Sequence, residues 1–249
     1  MSTWTMPGGG GALLEHLPAA RLVVHPRGAP HLENPERLTA SSRLVYGEDN
    51  FNQLFERLVP VPAERIWSPA DGESLSLGDR TLTFFHTEGH ARHHLCIHDD
   101  RSDGLFTGDS FGLRYPEFDH PDTPLLYPAT TPTQFDPDAA HATVDRLAAM
   151  GPRTLYLTHY APLAFAPRLA DGLHALLDAF VALARDRGAP GPDRHAILSR
   201  GVEEILLARW TACGGRADIT TRGLLAADVD TNAQGLAHWV DRERRRRPN

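Results

Sequence analysis

Features that direct a chain to a membrane or to the cell exterior are scarce in this sequence. No long uncharged apolar run occurs, so no membrane span is predicted. The start, MSTWTMPGGGG, has no basic segment followed by an apolar stretch, which argues against a secretory signal. The two cysteines, Cys96 and Cys213, are too few for a disulfide framework and suit a reducing compartment. We therefore expect a cytoplasmic protein.

An excess of positive charge is missing as well. The formal net charge is −7, so the chain lacks the basic footprint of a nucleic-acid-binding protein. Arg242 and the arginines at 244–247 form its one basic cluster. We interpret this cluster as a solvated helix end, with contact to an anionic partner as the alternative. Histidine, by contrast, is abundant, with 14 residues, and imidazole is the commonest metal ligand in proteins.

A chain of 249 residues can form one large domain, or one domain with an appendage. Hydrophobic periodicity predicts a helix at 12–17, a strand at 21–25 and two short helices within 34–58. It then changes to a period of two and predicts strands at 74–77, 80–85, 94–98, 105–107 and 154–158. Asp136-Pro137 predicts the start of a helix that ends before Gly151, and the pattern is helical from residue 168 onward.

Three of the predicted strands end in a histidine or an aspartate. The segments are His86-Thr87-Glu88-Gly89-His90, Leu105-Phe106-Thr107-Gly108-Asp109 and Leu155-Tyr156-Leu157-Thr158-His159. Imidazole and carboxylate together suit zinc, iron or manganese. Strand ends also hold ligands on a rigid scaffold that faces a cleft. Each signal is weak alone, but their order and strand context favour a metal site.

These three segments resemble the metallo-β-lactamase superfamily. Residues 85–94 are similar to its Thr-Pro-Gly-His segment, with Glu88 in place of the proline, and residues 106–109 match its Phe-Thr-Gly-Asp segment. The resemblance covers about residues 10–165 and implies an α/β fold, a four-layer αβ/βα sandwich. It further implies that His90 binds a first metal, that Asp109 bridges two metals and that His159 binds the second. We therefore expect a domain at 8–165 and a C-terminal helical extension at 166–249.

The sequence departs from the superfamily at its leading motif, His-x-His-x-Asp-His. No His-x-His occurs anywhere in the chain, and MSTWTMP stands where the motif is expected. The N-terminal strands that precede the motif are missing too, so we expect a chain shortened at its N-terminus. An exposed sheet edge would then favour self-association. Each metal would keep two protein ligands, whereas catalytic zinc normally has three.

The resemblance implies a hydrolase whose metal-activated water attacks an ester, thioester, lactone, amide or phosphoester of a small-molecule substrate. Zinc is the expected metal, weakly bound, with iron and manganese as alternatives. His93, His94 and Tyr160 are expected to support the ligands or contact substrate. The alternative function is an inactive, metal-poor remnant that acts as a binding or assembly module, or a truncated gene product. Neither nucleic acid nor a membrane is an expected partner.

Overall fold

The computed structural model describes residues 9–36, 39–40, 43, 48, 58–120, 124–130, 133–159 and 162–246. The two short helices predicted within 34–58 lie largely outside these ranges. The described part is an α/β structure with a C-terminal helical part, which confirms the predicted fold class. Within the described ranges, no helix combines the length and the apolar character that a membrane span requires.

The first region pairs two short strands beside two short helices. Its elements are α1 (Gly10–His16), β1 (Leu22–Val23), α2 (Ala29–Glu33) and β2 (Ile66–Trp67). β1 and β2 run parallel and form a two-stranded sheet. The strand predicted at 21–25 is shorter than expected, because Pro26 has no N–H for the ladder and His25 already accepts the turn bonds from Gly28 and Ala29.

A six-stranded sheet forms the centre of the molecule. Its strands are β3 (Ser74–Leu77), β4 (Arg80–His86), β5 (Leu95–Asp99), β6 (Gly104–Gly108), β7 (Thr154–Leu157) and β8 (Pro162–Ala164). They lie in this order across the sheet, and all neighbours are antiparallel except β6 and β7. β3 and β8 are its edges among the described residues, and self-association through an edge stays a prediction.

One helix, α3 (Pro137–Ala149), connects the two parallel strands β6 and β7. It begins where the sequence predicts, because the Asp136 side chain accepts a hydrogen bond from the N–H of Ala139. Parallel strands require such a crossover, and it brings their carboxyl ends to the same edge of the sheet. Asp109 after β6 and His159 after β7 are therefore neighbours.

Three longer helices follow the sheet: α4 (Pro167–Arg187), α5 (Arg194–Ala212) and α6 (Ile219–Arg246). They enclose the largest hydrophobic core, which also contains Phe118, Tyr127 and Phe135 from the loop between β6 and α3. The C-terminal helices thus share a core with residues of a loop that precedes all three of them in the chain. The domain boundary between residues 165 and 166 stays a prediction.

Candidate metal centre

Asp109 lies at the centre of the site, directly after β6, and is 5% exposed. Its Oδ2 atom is 3.5 Å from Nε2 of His90, and its Oδ1 atom is 3.4 Å from Nε2 of His159. Both histidines are buried, at 8% and 9% exposure. The structure thus brings together the three residues that the sequence pattern singled out, with one imidazole on each oxygen of a shared carboxylate.

His90 reaches this position because the chain before it passes close to α3. Gly89 has φ +122°, and a Cβ there would lie 2.4 Å from Cα of Ala140, so only glycine fits. Two hydrogen bonds hold this approach: the Thr143 hydroxyl donates to the Glu88 carbonyl at 2.7 Å, and the Asp136 N–H donates to the Gly89 carbonyl at 2.9 Å. The helix that separates β6 from β7 therefore also fixes the first histidine.

The ring of His90 is oriented by a backbone carbonyl. Its Nδ1 atom lies 2.9 Å from the carbonyl oxygen of Ala129, and since a carbonyl can only accept, Nδ1 carries the proton. In the neutral ring the lone pair is then on Nε2, the atom that faces Asp109. This is the tautomer that a metal-binding histidine adopts when its other nitrogen donates to a carbonyl.

The three side chains fit a metal in kind and in spacing, but not in number. Bonds of about 2.0–2.2 Å in a tetrahedral site put neighbouring ligand atoms roughly 3.3–3.6 Å apart, which is the separation found between each imidazole and the carboxylate. Each ion would have one imidazole and one oxygen of Asp109. No group of three or more histidine, cysteine or acidic side chains within the described residues is arranged to hold an ion.

His94 lies behind Asp109 and is half-buried. Its Nε2 accepts a hydrogen bond of 3.2 Å from the backbone N–H of Asp109, so the neutral ring carries its proton on Nδ1. Nδ1 is 2.9 Å from the Ser110 hydroxyl and 3.0 Å from that of Thr87. Burial lowers the pKa of His94 to about 3, and the neighbouring His90 is the second cause of this shift. The Asp109 carboxylate acts in the opposite direction and raises the pKa of His94. His94 therefore holds the loop that carries Asp109.

Cys96 extends this buried network away from the site. Its thiol donates to the Thr107 carbonyl at 3.2 Å and lies 3.3 Å from the Thr87 hydroxyl. Burial raises the pKa of the Cys96 thiol to about 12, so it is a protonated structural group. Thr87, Ser110 and Cys96 were not anticipated from the sequence. The sequence offers one indication of a supporting role, which is position: Thr87 lies within the segment 86–90, and Ser110 directly follows the segment 105–109.

His93 is half-buried, and its ring centroid is 6.3 Å from that of His31. Burial lowers the pKa of His93, and the His31 imidazole is the second cause of this shift. His25 and His86 form a second pair, with ring centroids 4.2 Å apart. Tyr160, the other predicted supporting residue, lies outside the described residues.

A small cavity of about 20 Å³ adjoins His90 and Asp109. Val144 of α3 and Leu173 and Leu177 of α4 form its apolar side. A polar cavity of this size has room for about one water molecule. Val144, Leu173 and Leu177 are themselves buried, so this side of the site is an apolar wall.

A family model described as the metallo-beta-lactamase superfamily matches residues 8–159, more than half of the chain. Among curated proteins, acyl-coenzyme A thioesterase MBLAC2 of Gallus gallus is 30% identical over 102 residues, which cover 34% of this chain and 37% of that protein. The Homo sapiens protein of the same name is 49% identical over 39 residues, 16% of this chain and 14% of its own length. The matched segments thus span 37% of the length of the first relative and 14% of the length of the second.

Two solved structures share the fold. A metallo-beta-lactamase family protein of Thermus thermophilus has a TM-score of 0.59 at 19% identity, and the match covers 95% of this chain and 70% of that one. An archaeal metallo-beta-lactamase superfamily protein of Sulfolobus tokodaii has a TM-score of 0.56 at 21% identity, with 78% and 72% covered. At identities this low, the likeness shows the shared fold alone.

Proposed function

Since this chain belongs to the metallo-β-lactamase superfamily, we propose that it is a metal-dependent hydrolase of a small-molecule substrate, with His90, Asp109 and His159 as the metal ligands that it contributes. One observation carries this proposal. The Nε2 atoms of two buried histidines face opposite oxygens of one buried carboxylate, at 3.5 and 3.4 Å. With one imidazole nitrogen on each side of the carboxylate, Asp109 would be shared by two ions, one held with His90 and the other with His159.

A metal bound here would supply a hydroxide nucleophile at neutral pH. The residues of the chain have separate tasks around it. Asp109 provides the negative charge, His90 is held in the tautomer with its lone pair on Nε2, and His94 fixes the backbone of Asp109. The apolar side chains of α3 and α4 that line the cavity lower the local dielectric constant, which strengthens electrostatic interactions at the site.

A thioester is the first substrate class to test, because the matched relatives are named acyl-coenzyme A thioesterases. The superfamily scaffold serves several reactions, so ester, lactone, amide and phosphoester bonds remain in the proposal. Zinc is the expected metal because imidazole and carboxylate ligands suit it, and iron and manganese accept the same ligands.

A non-catalytic binding or assembly module is the second candidate. The observation that favours it is the number of donors, since each ion would have two ligands from the described residues where catalytic zinc normally has three. Two ligands give weaker binding than three preorganised ones. The two candidates differ in a measurable way, because only the hydrolase loses a reaction when the ligands are removed.

The test is a thioester hydrolysis assay on the full chain with added zinc, iron or manganese. Asp109→Asn should abolish hydrolysis, because the amide removes the charge that both ions share. Asp186→Asn is the matched control: Asp186 is 78% exposed and pairs with its neighbour Arg187. Equal rates for both variants would refute Asp109 as a ligand. Absence of hydrolysis of every substrate class in the metal-loaded protein would favour the binding module.

A further inference from the structure

One face of α6 carries buried polar residues at helical spacing. Asp228 and Asn232 are 2% and 1% exposed, and Gly235 follows at the next position of the same face. Polar side chains are costly to bury unless they are hydrogen-bonded, so their partners explain their presence. Those partners lie in the loop between β6 and α3, about one hundred residues earlier in the chain.

Asn232 binds Thr130 of this loop twice. The Thr130 N–H donates to Oδ1 of Asn232 at 2.8 Å, and the Thr130 hydroxyl donates to the Asn232 carbonyl at 3.0 Å. Gly235 permits this contact, because a Cβ at that position would lie 2.5 Å from Oγ1 of Thr130. Among the described residues, Nδ2 of Asn232 has no hydrogen-bond partner, so the side chain acts through its oxygen.

The N–H that Asn232 binds belongs to the same peptide group as the carbonyl of Ala129. That carbonyl accepts the 2.9 Å hydrogen bond from Nδ1 of His90. A peptide group is planar and rigid, so fixing its N–H fixes the direction of its C=O. A hydrogen bond on the N–H also polarises the peptide and strengthens the carbonyl as an acceptor. A continuous path therefore runs from Asn232 through one peptide to the ring of His90.

We infer that Asn232 is a positioning residue of the metal centre: through the Ala129–Thr130 peptide it holds His90 in the tautomer whose lone pair on Nε2 faces Asp109. The C-terminal helix, which lies outside the matched residues 8–159, is thereby part of the site. The inference rests on the proposed function only in treating His90 as a ligand, since the tautomer of His90 is defined without any metal.

A second contact fixes the same loop on the same face of α6. The hydroxyls of Tyr115 and Tyr127 both donate to Oδ2 of Asp228, at 2.7 and 2.8 Å. Asp228 thus anchors the earlier part of the loop, whereas Asn232 contacts the peptide that touches His90. This division makes the two residues separable by mutation.

The test uses the full metal-free chain labelled with ¹⁵N at histidine. The spectra are recorded as a function of pH, and in the pH range where the His90 ring is neutral the wild-type ¹⁵N shifts should show a proton on Nδ1 and none on Nε2. Asn232→Leu removes the acceptor at similar volume and should shift His90 towards the Nε2–H tautomer. Asn232→Asp keeps an oxygen for the Thr130 N–H and should restore the wild-type pattern. In a zinc titration, Asn232→Leu should weaken binding about 10–100-fold.

Val229→Ala is the matched control, because Val229 is buried on the same helix and contributes to its core. It should lower stability and leave the His90 spectrum and zinc affinity unchanged. The inference is overturned if Asn232→Leu behaves like Val229→Ala. It is also overturned by an Nε2–H tautomer in the wild-type chain, a result that needs no variant to fold. Because the spectra are recorded without metal, they decide this inference even where hydrolysis fails.

Discussion

The backbone N–H of Asp109 donates a 3.2 Å hydrogen bond to Nε2 of His94. This bond joins the backbone of the central aspartate to the half-buried imidazole that lies four residues after His90. The other nitrogen of His94 is held by the hydroxyls of Thr87 and Ser110. The position of Asp109 thus depends on a ring that binds its backbone.

Two variants of His94 separate its two nitrogens. In His94→Gln the side-chain oxygen takes the place of Nε2 and can still accept from the Asp109 N–H. In His94→Asn the amide takes the place of Nδ1 and leaves that N–H without its acceptor. We expect a zinc affinity near that of the wild type for His94→Gln and a loss of about 10–100-fold for His94→Asn. Equal affinities of the two variants in a competition titration would contradict the role of Nε2.

Arg65, directly before β2, joins that strand to the end of α1 and the segment after it, within the first region. Its guanidinium donates to the carbonyls of Leu14, Leu17 and Ala20, at distances of 2.5–3.1 Å. Arg65→Lys keeps the charge, but an ammonium does not span three carbonyls as the planar guanidinium does. We expect this variant to lose about 2 kcal/mol of unfolding free energy, measured by urea denaturation. Arg21→Met is the control, since Arg21 makes a single 3.4 Å bond to Ile66, and an equal loss in both would contradict the assignment.

His25 makes the fold sensitive to acid. Burial lowers the pKa of His25 to about 4, and the neighbouring His86 imidazole is the second cause of this shift. A histidine in the unfolded chain titrates at about 6.5. Between these values the unfolded chain binds a proton that the folded chain does not. The contribution of the neutral His25 to the free energy of unfolding is therefore fully present above pH 6.5. It is lost as the pH falls towards 4, by at most about 1.4 kcal/mol per pH unit.

The measurement for His25 compares urea unfolding at several pH values in the wild type and in His25→Asn. Asparagine keeps an acceptor for the Arg27 N–H, which now donates to Nδ1 of His25 at 3.0 Å. The variant should lose less stability than the wild type between pH 6.5 and 4. An identical pH dependence in the two chains would show that His25 is not the group responsible.

The strands that carry the site were predictable from the sequence because their signals are local. Alternating apolar residues mark β4, β6 and β7, and each strand leads into a segment that carries a histidine or an aspartate. The start of α3 was predictable for the same reason, since Asp136 caps the helix with its own side chain. Parallel pairing of β6 with β7 follows from that helix, and it accounts for the approach of Asp109 to His159.

The groups that hold the ligands were not predictable in the same way. Asn232 and Thr130 are 102 residues apart, and no local pattern in either segment predicts that the two are in contact. The one available signal was the polar pair Asp228 and Asn232 on the apolar face of a predicted helix. His94 was likewise expected only as a supporting group, because its burial depends on how β5 and the loop after β6 pack together.

Metal content per chain tests the account most directly. The protein should be loaded with zinc, dialysed and analysed by atomic emission, for the wild type, Asp109→Asn and Asp186→Asn. We expect the wild type and Asp186→Asn to retain the same zinc content, below two equivalents, and Asp109→Asn to retain none. Two tightly held equivalents in the wild type, or an unchanged content in Asp109→Asn, would contradict it.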